Sequence, residues 1–144
     1  MPKISVILTA HNYGRYVAQA IDSVLAQTMD DWELVAVDDS SSDDTPAILN
    51  RYRDDPRIHV IRVEGYGLAK AANTGVRASS GEYIIRLDAD DYFDENCLLV
   101  LSYTLDRRPE VGLVYPDYYQ VSRFGETIDM ARRGIHNEGA RILE

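Results

Sequence analysis

Apolar residues along this chain fall into two kinds of run that take turns. Short β-branched runs with little strict alternation, Ile4-Ser5-Val6-Ile7-Leu8 and Glu33-Leu34-Val35-Ala36-Val37, predict strands covered on both faces. Ile58 to Val63 alternates in part, and Tyr83-Ile84-Ile85-Arg86-Leu87 gives a fourth strand. Between them the period becomes helical. Tyr16, Ala20, Ile21, Val24 and Leu25 share one face of a helix over about residues 15–27. Thr45-Pro46 is an N-cap and first-turn pair for a helix running to about Arg53. Ala69 to Ala78 reads as an Ala-rich helix closed by Ser79-Ser80-Gly81. Asp94 caps a fourth helix, which carries Leu98, Leu99, Leu101 and Leu105 and stops before Pro109. The order β-α-β-α-β-α-β predicts an α/β fold: a mostly parallel sheet with helices on both faces.

After Pro109 the pattern changes. Val111 to Val121 reads as one long strand, Ser122-Arg123-Phe124-Gly125 as a turn, and Thr127 to Met130 as a short returning strand. A hairpin there makes the sheet mixed. Residues 131–144 have little periodicity and are expected to be loosely ordered, so the domain is drawn over 1–130. No compact element closes the chain, which is expected to be part of a longer natural protein.

Composition narrows the class. With 144 residues and 45% apolar content the chain suits one packed globule. Fifteen basic residues against 24 acidic give a net charge of −9, which argues against a module that neutralises nucleic-acid phosphates. No apolar run approaches the roughly 18 residues of a membrane span. The start, Met1-Pro2-Lys3-Ile4-Ser5, lacks the pattern of a secretory signal. The one cysteine, Cys97, has no partner for an internal disulfide, so a reduced, cytoplasmic setting is expected.

Chemistry gathers where the strands end. Thr9-Ala10-His11-Asn12, Asp38-Asp39-Ser40-Ser41-Ser42 and Asp88-Ala89-Asp90-Asp91 each follow an apolar run directly. In an open parallel sheet, ligands bind beyond the carboxyl ends of the strands. If these strands are neighbours, four or five carboxylates converge. Two carboxylates about 4 Å apart repel by roughly 4 kcal/mol at an effective dielectric near 20. Protonation, solvation or a cation must relieve that, and hard divalent ions take oxygen ligands, with magnesium using one or two carboxylates plus substrate phosphates. A metal between Asp90 and a phosphorylated ligand is the physical reading. Alternatives fare worse by spacing. Ala10-His11-Asn12-Tyr13-Gly14 has one Gly where a dinucleotide fingerprint needs several, and no Walker A occurs. An EF-hand loop from Asp88 would need Gly and Glu where Phe93 and Leu99 stand. An aspartyl phosphohydrolase of the haloacid dehalogenase kind also uses Asp-x-Asp after a strand, but without a following Asp91-Tyr92.

Five segments in order carry a resemblance. They are Ile4 to Asn12, Ile21 to Thr28, Trp32 to Thr45, Gly67 to Gly75, and Gly81 to Asp91. Together the chain resembles, over about residues 3–130, the N-terminal part of family 2 glycosyltransferases, which have the GT-A fold and use nucleotide-diphosphate sugars. The resemblance implies a nucleotide site built from Thr9, Ala10, His11, Asn12, Asp38, Asp39, Lys70, Asp88 and Ala89, with Mg²⁺ or Mn²⁺ at Asp90. Thr9 would touch the nucleotide through its backbone, His11 would lie against the base, and Asp39 would accept a base N–H. Asp88 would face the ribose, and the metal at Asp90 would bridge the diphosphate. UDP-sugar is the donor that family habit favours. The acceptor would be a glycan, lipid-linked or protein hydroxyl, and transfer would invert the sugar. Association with a membrane surface stays open. A nucleotide-sugar-binding module without turnover is the alternative, and the aspartyl phosphohydrolase a further one.

Two departures stand out. Family members commonly carry Arg where this chain has Ala72, and Lys70 is the candidate for the missing charge. The family's catalytic base is an Asp of a later acceptor-side segment, which nothing after residue 130 matches, Glu138 and Glu144 included; it is expected beyond residue 144. Plainer readings stand beside the functional ones. Asp38 fits a structural role at its strand end, Asp91 a turn cap, His11 a solvated loop, Lys70 a surface lysine and Asn73 a packing hydrogen bond. Asp43-Asp44 fit charges favoured by a helix N-terminus. Tyr13, Tyr66 and Tyr118 are the tyrosines able to neighbour a ligand, and Cys97 suits a small buried hydrophobe.

Overall fold

A computed structural model describes residues 1–65, 67–122 and 125–132, so Tyr66, part of the expected turn at 122–125, and the segment from residue 133 lie outside the described residues. The chain forms two compact units divided between Tyr103 and Thr104. In the first unit β1 (Ile4–Ala10), β2 (Trp32–Asp39), β3 (Ile58–Val63) and β4 (Tyr83–Asp88) alternate with α1 (Val17–Leu25), α2 (Thr45–Asn50) and α3 (Leu68–Ala78); α4 (Cys97–Arg107) runs across the boundary. The strands pair in parallel in the order β3-β2-β1-β4. In the second unit β5 (Tyr118–Val121) and β6 (Thr127–Ala131) form an antiparallel sheet of their own. Both kinds of pairing are present, as expected, but in separate sheets. The long strand expected from Val111 is a strand only from Tyr118.

Position in the sheet explains the hydrophobic patterning. β1 and β2 are central and buried at every residue, which is why they read as continuous apolar runs. β3 and β4 are the outer strands and alternate, so Ile84 and Arg86 of β4 are exposed while Leu87 is buried. Successive residues then sort to opposite faces. Val6, Leu8, Leu34, Ala36 and Leu87 pack with Val17, Ala20, Ile21 and Val24 of α1, Leu49 of α2 and Leu98 of α4. Ile7, Val35 and Val37 pack instead with Ala71 of α3. Each fully buried Val, Leu or Ile among them contributes roughly 1.5–3 kcal/mol. Helix α3 comes close to the sheet because Gly75 has no side chain: a methyl there would collide with Ile7 Cγ2.

Candidate functional site

The face that α3 covers decides which polar residues meet. Thr9 follows Ile7 by two residues, and Asp39 follows Val37 by two, so both project to the α3 side. Asp88 is the register partner of Thr9 across β1 and β4 and takes the same side. Beyond these strand ends lies a crevice of about 360 Å³, bordered by Thr9, Ala10, His11 and Asp39, by Asp88, Ala89 and Asp90, and by Tyr13, Leu68 and Ala71. β2 lies on one side of β1 and β4 on the other, so the crevice sits at the switch point of the sheet.

Three of the residues given a nucleotide-binding role in the sequence do not border it. Asp38 alternates with Asp39 and points to the other face, where it is 1% exposed. Its carboxylate accepts the Ser41 N–H at 3.0 Å and pairs with Arg62 at 2.7 Å. These contacts are the ones expected of a structural residue at a strand end. Asn12 spends its carboxamide oxygen on the Ser42 and Asp43 N–H groups, tying the loop after β1 to the loop after β2. Lys70 lies on the exposed surface of α3, while Leu68 and Ala71 of the same helix reach the crevice. A helical turn explains this: Ala71 and Gly75 mark the stripe facing the sheet, and Lys70 is one residue off it. That pair of small residues four apart was the available signal for Leu68 and Ala71.

Around the crevice the polar atoms are unequally satisfied. Thr9 is 6% exposed, and its hydroxyl has no hydrogen-bond partner among the described residues. A buried orphan hydroxyl costs about 1–3 kcal/mol unless something pairs with it. Asp39, also 6% exposed, accepts the Gly67 N–H at 2.7 Å. Gly67 precedes α3 with φ at 79°, a conformation that L side chains rarely adopt, so glycine brings this helix start to Asp39. Asp88 pairs with Arg86 at 2.9 Å on the same face of β4. Asp90 is exposed and makes no hydrogen bond or ion pair among the described residues. Asp91 donates its N–H to the Asp88 carbonyl, closing a turn. Desolvation, followed by the charges of Asp90 and Asp88, raises the Asp91 carboxyl above its usual range, with Arg86 opposing.

The neighbouring loops are tied down by Asp43, one of the two acids the sequence assigns to a helix N-terminus. Asp43 accepts the Gly14 and Thr45 N–H groups, while the Thr45 hydroxyl accepts the Tyr13 N–H instead of capping α2. Cys97 is half-buried; burial, then Asp94, pushes its thiol up to about 11, which leaves it inert.

The donor set suits a hard cation, since Asp88 and Asp90 offer only oxygen. Among the described residues no group of three or more His, Cys, Asp or Glu side chains comes together to hold an ion. An ion at Asp90 would therefore need oxygens from a ligand. The residues fit that arrangement, with Asp90 the carboxylate left unengaged.

Known proteins place this architecture. The model of glycosyl transferase family 2 matches residues 5–141. A chondroitin synthase of Escherichia coli is 32% identical over 129 residues, covering 89% of this chain and 19% of that protein. GlyG, a glycosyltransferase of Streptococcus pneumoniae, is 33% identical over 81% of this chain and 39% of its own length. This chain thus spans well under half of the relatives it matches. S. aureus TarS (residues 1–349) in complex with UDP superposes with a TM-score of 0.70 at 29% identity, covering 74% of this chain and 33% of that one. A mannosyltransferase of Pyrobaculum calidifontis in complex with GDP-Man and Mn²⁺ gives 0.64 at 29% identity over 72% and 32%. With a GT-A-type sheet, an acidic crevice at its switch point and a family match over nearly all of its length, the chain belongs to glycosyl transferase family 2.

Proposed function

We propose that this chain is the donor-binding part of a metal-dependent glycosyltransferase that uses a nucleotide-diphosphate sugar, UDP-sugar first. The observation that carries this is the shared crevice: an orphan Thr9 hydroxyl, Asp39, Asp88 and Asp90 come from three separate strand ends to one face. Relatives point the same way, since TarS is crystallised with UDP and with UDP-GlcNAc, and the mannosyltransferase with GDP-Man and Mn²⁺. In this reading Thr9, Ala10 and His11 flank the base, Asp39 accepts a base N–H, Asp88 and Ala89 border the ribose, and Asp90 holds Mg²⁺ or Mn²⁺. The cation, when bound, supplies Lewis-acid stabilisation of the departing diphosphate.

Transfer in this reading is inverting: an acceptor hydroxyl attacks the anomeric carbon, the bond to the diphosphate oxygen breaks, and a carboxylate takes the hydroxyl proton. No described residue is assigned as that base. The acceptor is a hydroxyl of a glycan, lipid-linked or protein partner. A cytoplasmic setting belongs to the same reading; among the described residues no helix is long and apolar enough to cross a membrane.

Calorimetric titration of UDP into the chain, with and without Mn²⁺, tests donor binding. Binding strengthened by Mn²⁺ is expected, and no binding in either condition overturns it. Release of UDP from UDP-sugars in the presence of acceptors separates a transferase from a module that only binds.

A further inference from the structure

Three backbone groups fix the chemistry of His11. Asn12, directly after it, has φ at 60°, a left-handed conformation that asparagine tolerates better than most residues. Its Oδ1 accepts the Ser42 N–H at 2.8 Å, the Asp43 N–H at 3.3 Å and the Ser42 hydroxyl at 3.3 Å. A backbone N–H only donates, so these contacts settle which end of the carboxamide is oxygen. Nδ2 is thereby turned to His11 Nε2, 3.2 Å away. On the far side of the ring, Nδ1 lies 2.6 Å from the Asp39 carbonyl oxygen, which only accepts. His11 therefore donates from Nδ1 and accepts at Nε2. The relay leaves β2 at Asp39, passes through the imidazole and Asn12, and returns to the same loop at Ser42.

We propose that Asn12 is a positioning residue for the crevice: it holds His11 as the neutral Nδ1–H tautomer with both ring nitrogens satisfied by protein. The imidazole then meets a bound nucleotide with its ring face and C–H edge, and serves neither as proton carrier nor as metal ligand. Asn12 does not border the crevice, so it acts through His11. The ligand in this inference rests on the nucleotide-binding reading above; the tautomer does not.

Imidazole ¹⁵N spectra of the whole chain at pH about 8, where free imidazole is neutral, read the tautomer directly. The His11 signals are assigned by their loss in His11→Gln. A protonated Nδ1 and a bare Nε2 are expected. Asn12→Asp keeps the oxygens that bind Ser42 and Asp43 but replaces the Nδ2 donor with an acceptor, so a proton is expected to appear on Nε2 while Nδ1 keeps its own against the Asp39 carbonyl. A wild-type ring protonated at Nε2, or an Nε2 that stays bare in Asn12→Asp, overturns the assignment.

Affinity for UDP with Mn²⁺ reads the positioning. A hydrogen bond of this kind corresponds to at most about a tenfold change in binding. Asn12→Asp is expected to weaken UDP about three- to tenfold with His11 present and under twofold in a His11→Phe background, because the effect passes through the ring. Equal losses in both backgrounds would mean that the effect does not pass through His11 and would overturn the positioning claim. If the wild-type chain binds no UDP, the nucleotide reading falls and the positioning claim with it, while the spectra still decide the tautomer.

Discussion

Asp38 and Asp39 are adjacent on β2 and face opposite sides of the sheet: Asp38 is locked to Ser41 and Arg62, while Asp39 borders the crevice and accepts the N–H that precedes α3. The pair therefore separates stability from binding. Asp38→Asn is expected to cost about 1–2 kcal/mol, below the full value of a buried ion pair because Arg62 is half-exposed. Its UDP affinity should stay near wild type once the protein is folded. Asp39→Asn should fold almost normally, since an amide oxygen still accepts from Gly67, and lose tenfold or more in UDP affinity, about 1.4 kcal/mol. Urea melts and calorimetry on the two variants check this. Reversed effects would mean that the faces are misassigned.

Metal and nucleotide should stabilise the fold together. A ligand at about 100 times its dissociation constant adds roughly 2.7 kcal/mol. UDP with Mn²⁺ is expected to raise the melting temperature by several degrees, and UDP alone by much less. Asp90→Asn should abolish the difference that Mn²⁺ makes. A Mn²⁺-dependent shift that survives in Asp90→Asn would place the ion elsewhere.

Gly75 tests how α3 shapes the crevice. A methyl there meets Ile7 Cγ2 and lies 3.4 Å from Val37 Cγ2. Gly75→Ala gains helix propensity of about 1 kcal/mol yet overpacks this contact, at a typical cost of about 1–3 kcal/mol. We expect a net loss of stability together with weaker UDP binding, as Leu68 and Ala71 are lifted from the crevice. A more stable variant with unchanged binding would show that the sheet yields to the added methyl.

At the opposite end of the sheet, Glu33 gives a pH dependence of defined sign. Burial pushes its carboxyl up, but hydrogen bonds from Ser5, from Ser80 and from the Gly81 backbone outweigh that and leave it below its ordinary value. The folded state thus binds the proton less readily than the unfolded chain. Stabilisation from Glu33 is fully present above the ordinary carboxylate range and is lost as pH falls through the lowered folded value. Glu33→Gln should be less stable than wild type at pH 7, with the gap closing as pH falls below the ordinary carboxylate range. A gap that stays constant would show that the charge contributes nothing.

Much of this protein was legible from local pattern. The runs at Ile4 and Glu33 gave the central strands because a strand buried on both faces must be apolar almost throughout. Helical period located α1 and α3, and the acids after the strands marked the end of the sheet where the crevice opens. Asp38 and Asp39 were bound to face opposite ways, because a strand repeats every two residues. What the residues could not announce was which of the two faces the crevice. That depended on where α3 lands, and it lands on the face of Ile7, Val35 and Val37, beside Thr9 and Asp39 rather than Asp38. The same packing brought Leu68 and Ala71 to the site and left Lys70 outside. Separation of the β5–β6 hairpin from the parallel sheet was likewise a matter of partners distant in sequence. Local periodicity depends on a few neighbouring residues; the choice of face and partner depends on contacts between elements tens of residues apart, and only the folded chain makes them.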